Sequence, residues 1–170
     1  MDIVIIRDFR EADGPSLNRV ALAAFSQFQG QYSDWPAMAD GVSRMSQLAS
    51  NGEIIVGECH GRIVGGVVYV PGGHPKAAYF DQSCPIIRML VVAPSARGQG
   101  IGRRLTEECI VRARRDKAPL IGHTTKIMNC SADVPANGLR ANPRHSANLR
   151  CILCGVHQRT VTKAVAFRME

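Results

Sequence analysis

At 170 residues the chain is long enough for one domain with a proper core, and its 45% apolar content is ordinary for a globular protein. No apolar run is long enough to span a bilayer, and Met1–Arg7 starts acidic with too short an apolar run for a signal peptide, so a cytoplasmic protein is expected, with no membrane partner. The net charge of +7 raises a nucleic-acid partner as a weaker alternative, but residues 1–129 carry only a net +3 while residues 130–170 carry +4, and no aromatics interleave the arginines for stacking on bases.

Ile3–Arg7 reads as a first strand, and residues 12–28 as a helix with Leu17, Val20, Ala21, Ala24 and Phe25 on one face. A polar stretch with Tyr32, Trp35 and Pro36 follows, then a short helix around Val42–Ala49 and a turn at Asn51-Gly52. Residues 53–58 and 62–70 read as two strands, joined by Cys59, His60 and Gly61 in a hairpin. Pro71–Pro75 is a loop. Ile86–Val92 is nearly all apolar, the composition of a strand covered on both faces. A helix from Gly102 to about Arg115 has Ile101, Leu105, Cys109 and Ala113 on its inner stripe. Leu120–Thr125 reads as another strand. From residue 129 the texture changes: Pro135, Asn137-Gly138 and Asn142-Pro143 interrupt any regular element until about Arg159–Phe167.

Between the apolar strand and the following helix stands Arg97-Gly98-Gln99-Gly100-Ile101-Gly102, preceded by Pro94, which ends the strand. Such a junction aims several backbone N–H groups and the positive end of a helix at one point, which suits a pyrophosphate. The glycine spacing differs from the dinucleotide fingerprint, and Arg103 stands where an NTPase phosphate loop needs Lys.

On these residues, residues 3–128 resemble the GNAT superfamily of N-acetyltransferases. The strand Ile86–Val92, Pro94 and the Arg97–Gly102 turn carry the likeness; the opening strand and helix, the Gly61–Gly65 hairpin and residues 123–128 stand in family order. The resemblance implies an α/β fold with a mixed central sheet, helices on both faces and a V-shaped cleft. It implies an enzyme that moves acetyl from acetyl-CoA to an amine by direct attack in a ternary complex, without metal. It places the coenzyme on Leu90, Val91 and Val92 of the strand and on Arg97, Gly98, Gln99, Gly100, Ile101, Gly102 and Arg103. For Arg103 and Arg104 a solvated helix face is the competing reading, and Arg112, Arg114 and Arg115 suit the helix dipole.

No general base can be named on the strand, which offers Arg88 and Met89 and no carboxylate. His123, Glu53, Glu58 and Asp81 could lie near an amine, with structural or surface roles the better expectation. Tyr32 and Trp35 either cover the acceptor or pack into the core. The six cysteines are expected to be free thiols. Cys151, Cys154 and His157 are too few for zinc, with Cys130 distant.

The family's closing helix and strands are not readable after Met128. Reading the genetic code one base later across Ala132–Leu139 permits Arg-Met-Tyr-Arg-Arg-Met-Gly-Phe, which resembles the missing family segment. The same shift permits Glu-Arg-Ile-Arg-Asp-Ile-Pro-Pro-Ile-Phe-Gly-Val over Arg140–Cys151. The expectation is a core of residues 1–128 and a poorly structured basic tail of residues 129–170, produced by a shift of frame near Asn129–Ser131. Val134 then stands where the resemblance implies a tyrosine acting as general acid, and the edge of the Leu120–Thr125 strand is left bare unless the tail repacks there. The second functional reading follows: a coenzyme A-binding protein with impaired or absent transfer. The acceptor amine and the oligomeric state are not legible.

Overall fold

In the computed structural model the described residues are 3–78, 80–118, 120–124, 139–141 and 164–169. Seven strands among them form one sheet: β1 (Val4–Asp8), β2 (Glu53–Cys59), β3 (Arg62–Val70), β4 (Ile86–Val92), β5 (Leu120–Thr124), β6 (Leu139–Ala141) and β7 (Ala164–Met169), in spatial order β1-β2-β3-β4-β5-β7-β6. Neighbours are antiparallel except β4 and β5, which run parallel, so the sheet is mixed.

The described residues include three α-helices: α1 (Gly14–Ser26) and α3 (Ile101–Arg115), which pack on the sheet, and α2 (Trp35–Val42), which packs on α1. Strand residues alternate between the faces, which divides the core in two. On one face Ile101, Leu105, Cys109 and Ala113 of α3 meet Val4, Ile55, Val67, Tyr69 and Ile87. On the other, Leu17, Val20, Ala21 and Ala24 of α1 meet Ile54, Val56, Val68, Val70, Ile86 and Val91. The expected inner faces of both helices are thus the buried ones. Phe25 packs half-buried against the α1 cluster.

The helix expected around Val42–Ala49 lies earlier. Asp34 caps α2 by accepting a hydrogen bond from the Ala37 amide at 2.9 Å, and Pro36 occupies the first turn, where its missing N–H costs nothing. A 3-10 helix over Met45–Ser50 takes the place of the second half of the expected element. The β2–β3 hairpin turns through His60 and Gly61, both at positive φ (49° and 73°), the conformation a tight two-residue hairpin loop needs.

The edge of β5 carries β7, antiparallel from Leu120↔Arg168 to Thr124↔Ala164. Tail backbone therefore repacks on the edge that the sequence reading left open. Cys130, Val134, Cys151, Cys154 and His157 lie outside the described residues.

Candidate active site

Strand β4 is not covered along its whole length. Its first half is buried at Ile86 and Ile87, but Leu90 is 39% exposed. Two local departures from regular sheet explain this. On the β3 side, Gly66 pairs with Val91 and Val68 with Arg88, so Met89 and Leu90 together oppose the single residue Val67. This is a β-bulge, and Met89 sits in it at φ 54°, a left-handed conformation uncommon for a residue with a side chain. On the β5 side, pairing is confined among the described residues to Ile86↔Gly122 and Ile87↔His123. The described part of β5 ends one residue later, at Thr124, while β4 runs on to Val92, and Leu90 lies exposed on that stretch. Nothing in Ile86–Val92 marks the bulge in sequence, because no glycine stands there.

At the far end of β4, Ala93–Ala96 makes a short 3-10 turn and Ala96 is buried. Residues 97–100 are exposed, and Ile101, only 2% exposed, returns the chain to the core as the first residue of α3. Gly98 (φ 76°) and Gly100 (φ 73°) take the left-handed conformation here, and a Cβ at either would meet nothing within 4 Å. Gly100 is the N-cap of α3, a 15-residue helix. The result is a bare backbone turn at a helix N-terminus, with unhindered space in front of it: an anion cradle of the kind that N–H groups and the helix dipole make for phosphate.

The turn is set close to the sheet by Gly65 of β3. A Cβ there would stand 3.0 Å from the Val91 carbonyl oxygen and 3.1 Å and 3.2 Å from the side chains of Ile101 and Leu105. The absence of a side chain at that position lets the first turn of α3 lie directly against the strand end that carries the bulge.

The charged residues near the turn are mostly committed elsewhere. Arg97 donates from Nη1 to Gln27 Oε1 at 2.6 Å. Arg103 pairs along its own helix with Glu107 at 2.8 Å, both half-exposed. Arg104 donates to the Val4 carbonyl at 2.7 Å and so ties α3 to β1. Gln99 is exposed, and Gly102 lies beside Val92.

The other sequence candidates with described side chains do not gather at this end of β4. Glu53, at the start of β2, accepts from Arg115 at 2.6 Å and also from Arg112; the Arg115 hydrogen bond holds its carboxyl below the ordinary range. Arg112, buried between sheet and helix, also bonds Asp8. Arg115 further pairs with Asp116 at 2.8 Å, and Asp116 accepts from the Tyr69 hydroxyl at 2.8 Å. Burial, then the bond to Asp116, pushes the Tyr69 hydroxyl up. Sequence reasoning saw only the helix dipole in Arg112 and Arg115; the partners Asp8 and Glu53 come from separate strands. Glu58 accepts from Arg7 at 2.7 Å, and Arg7 binds Asp13 as well. Asp81 accepts from the amide and hydroxyl of Ser83 in the β3–β4 loop. His123 is level with Ile87 at the last paired position of β5, and its side chain lies outside the described part. Tyr32 is buried and Trp35 half-buried, their rings 5.9 Å apart. Cys59, Cys84 and Cys109 are free thiols, with burial pushing Cys109 up to about 12. Among the described residues no group of three metal-ligating side chains occurs.

A mixed sheet with one parallel strand pair, a bulge in the first strand of that pair and a bare glycine turn into a helix form a recognisable combination. The family model for the acetyltransferase (GNAT) family matches residues 17–131. The chain belongs to that family. The matched range takes in most of α1, strands β2 to β5 and the glycine turn, and stops at residue 131. Curated proteins provide no match. Among solved structures, this GNAT protein is similar to a histone acetyltransferase HPA2-related acetyltransferase from Corynebacterium glutamicum, with 17% identity over 99% of this chain and 97% of that one and a TM-score of 0.70. It is also similar to a GNAT acetyltransferase from Brucella melitensis in complex with acetyl-CoA (22% identity, 83% and 85% covered, TM-score 0.58). A PaiA N-acetyltransferase from Thermoplasma acidophilum in complex with coenzyme A gives 12% identity, 99% of both chains covered and a TM-score of 0.63. At such identities these likenesses show the fold.

Proposed function

We propose that this acetyltransferase takes its acetyl group from acetyl-CoA and passes it to an amine by direct attack in a ternary complex. The observation that carries the reading is the Arg97–Gly102 turn, where Gly98 and Gly100 leave an open backbone cradle at the N-terminus of α3, next to the bulged end of β4. A pyrophosphate fits this cradle by charge and by space. Leu90, Val91 and Val92 would offer backbone groups to the pantetheine arm along the end of β4, where Leu90 is exposed. The thioester carbonyl would be polarised by an N–H of the bulged strand, and the geometry contributes chiefly by alignment of the two reactants. Supporting the amine as acceptor, the relatives with a stated chemistry include a ribosomal-protein-alanine N-acetyltransferase and a PaiA N-acetyltransferase. A thermal-shift titration tests the coenzyme half. At a ligand concentration a hundredfold above its Kd, acetyl-CoA should stabilise the protein by about 2.7 kcal/mol; no stabilisation at millimolar ligand contradicts the reading.

A second reading has its own support. The family match ends at residue 131, and the shifted frame over Ala132–Leu139 permits the family's closing segment with a tyrosine in place of Val134. On this reading residues 129–170 are a frame-shift product, and the chain binds coenzyme A with little or no transfer. Thiol release over a panel of amines separates the two. Release by this chain supports the first; release only after the frame is restored supports the second. A nucleotide sequence whose shifted frame meets stop codons before the final strand removes the frame shift.

A further inference from the structure

We infer that Gln27 is a positioning residue for the coenzyme-binding turn, acting through Arg97; the inference rests on the coenzyme reading above. The turn has little to hold it. Ala96 and Ile101 anchor its two ends in the core, but residues 97–100 are exposed, and two of the four are glycines with no atom within 4 Å of a Cβ position. Among the described residues, the one side-chain hydrogen bond from this stretch is Arg97 Nη1 to Gln27 Oε1, at 2.6 Å and across 70 residues of sequence.

Gln27 is built to receive it. It is the C-cap residue of α1, and its Nε2 donates to the Ala24 carbonyl at 2.6 Å. That bond satisfies one end of the amide and fixes which end faces Arg97. Helix α1 is itself clamped to the sheet through Leu17, Ala21 and Ala24, each at most 3% exposed. The rigid end of α1 therefore reaches over to the glycine turn and holds it by its arginine. Arg97 then serves the site through its backbone and its tether. Holding the turn before the ligand arrives removes part of the ordering cost of binding.

The test is a double-mutant cycle on the full chain, with Gln27→Met, Arg97→Met and the double variant. Methionine matches the length of glutamine, keeps the apolar stem of arginine and removes the hydrogen bond between them; at Gln27 it also removes the bond to the Ala24 carbonyl, which the unliganded Tm reads. Coenzyme A affinity is read by calorimetry and unliganded stability by thermal unfolding. Gln27→Met should weaken coenzyme A about three- to tenfold, with unliganded Tm nearly unchanged, because both groups are exposed. The double variant should bind no worse than Arg97→Met alone, since Gln27 acts through Arg97. Pantetheine, which lacks the pyrophosphate, should bind wild type and Gln27→Met equally; a loss in Gln27→Met as large as that for coenzyme A overturns the inference. Unchanged coenzyme A affinity in Gln27→Met overturns the inference, as does a loss in the double variant equal to the product of the two single losses. A wild-type chain that shows no saturable coenzyme A binding overturns the underlying coenzyme reading instead, and the inference with it.

Discussion

At the scale of single residues, the site depends on positions where a side chain is missing. Gly100 adopts φ 73° with open space where its Cβ would be, so the cost of adding one is conformational rather than steric. Gly100→Ala should destabilise the fold by about 1–2 kcal/mol, the price of left-handed backbone for an L-residue. For a chain of this length that lowers Tm by about 2–4 °C per kcal/mol, which differential scanning calorimetry resolves. Gly65 works in the opposite way. Its backbone is unremarkable, and the constraint is contact with Val91, Ile101 and Leu105 at 3.0–3.2 Å. Gly65→Ala should push α3 outward, cost about 1–3 kcal/mol by overpacking and weaken coenzyme A binding together with stability. Unfolding curves paired with calorimetric titrations check both effects. A Gly65→Ala protein with wild-type stability and affinity would mean that α3 does not need this close approach.

At the scale of elements, the order of strands and helices was largely legible because it rests on local patterns. The stripe Ile101, Leu105, Cys109 and Ala113 has helical spacing, and all four are buried. The run Ile86–Val92 read as a strand and is one. The glycine turn was legible for the same reason: left-handed backbone calls for glycine, and the glycines are visible. The bulge at Met89 was not, because the left-handed residue there carries a side chain and the shift arises only from pairing with β3. Helix α2 was misplaced because Trp35-Pro36 resembles a loop until Asp34 is seen capping it. The anchoring of α3 was equally hidden. Arg112 joins Asp8 and Glu53 from two strands, and that partnership exists only once the sheet has formed. Arg112→Met should cost about 1–3 kcal/mol, since it removes charge-assisted bonds from a largely buried group and leaves Glu53 with fewer partners. Chemical denaturation with an unchanged m-value and a lower midpoint is the expected result.

At the scale of the whole molecule, several carboxyls are held below their ordinary range: Asp13 by its hydrogen bond from Arg7, and Glu53 and Asp116 chiefly by theirs from Arg115. A carboxyl depressed in the folded state contributes stability that is present above its unfolded value of about 4 and lost as pH falls through the lower folded value. Stability should therefore be flat near neutrality and decline below about pH 4. Arg115→Met should flatten part of that acid limb. The effect should stay below about 1 kcal/mol at neutral pH, because Arg115 is half-exposed. Denaturation midpoints measured from pH 3 to pH 7 check the sign.

The family match does not take in the whole sheet. The family model matches residues 17–131, whereas the strand that closes the β5 edge, Ala164–Met169, lies beyond that range. The proposed coenzyme cradle, residues 97–102, lies wholly within the matched range, so on this account coenzyme binding should not depend on whether transfer is complete. Calorimetric titration of coenzyme A into the wild-type chain and into the Gly98→Ala/Gly100→Ala variant tests this most directly. The account predicts saturable one-to-one binding by the wild type and about a tenfold or greater loss of affinity in a variant that remains folded. Absence of binding at millimolar coenzyme A, or undiminished binding by the variant, would contradict it.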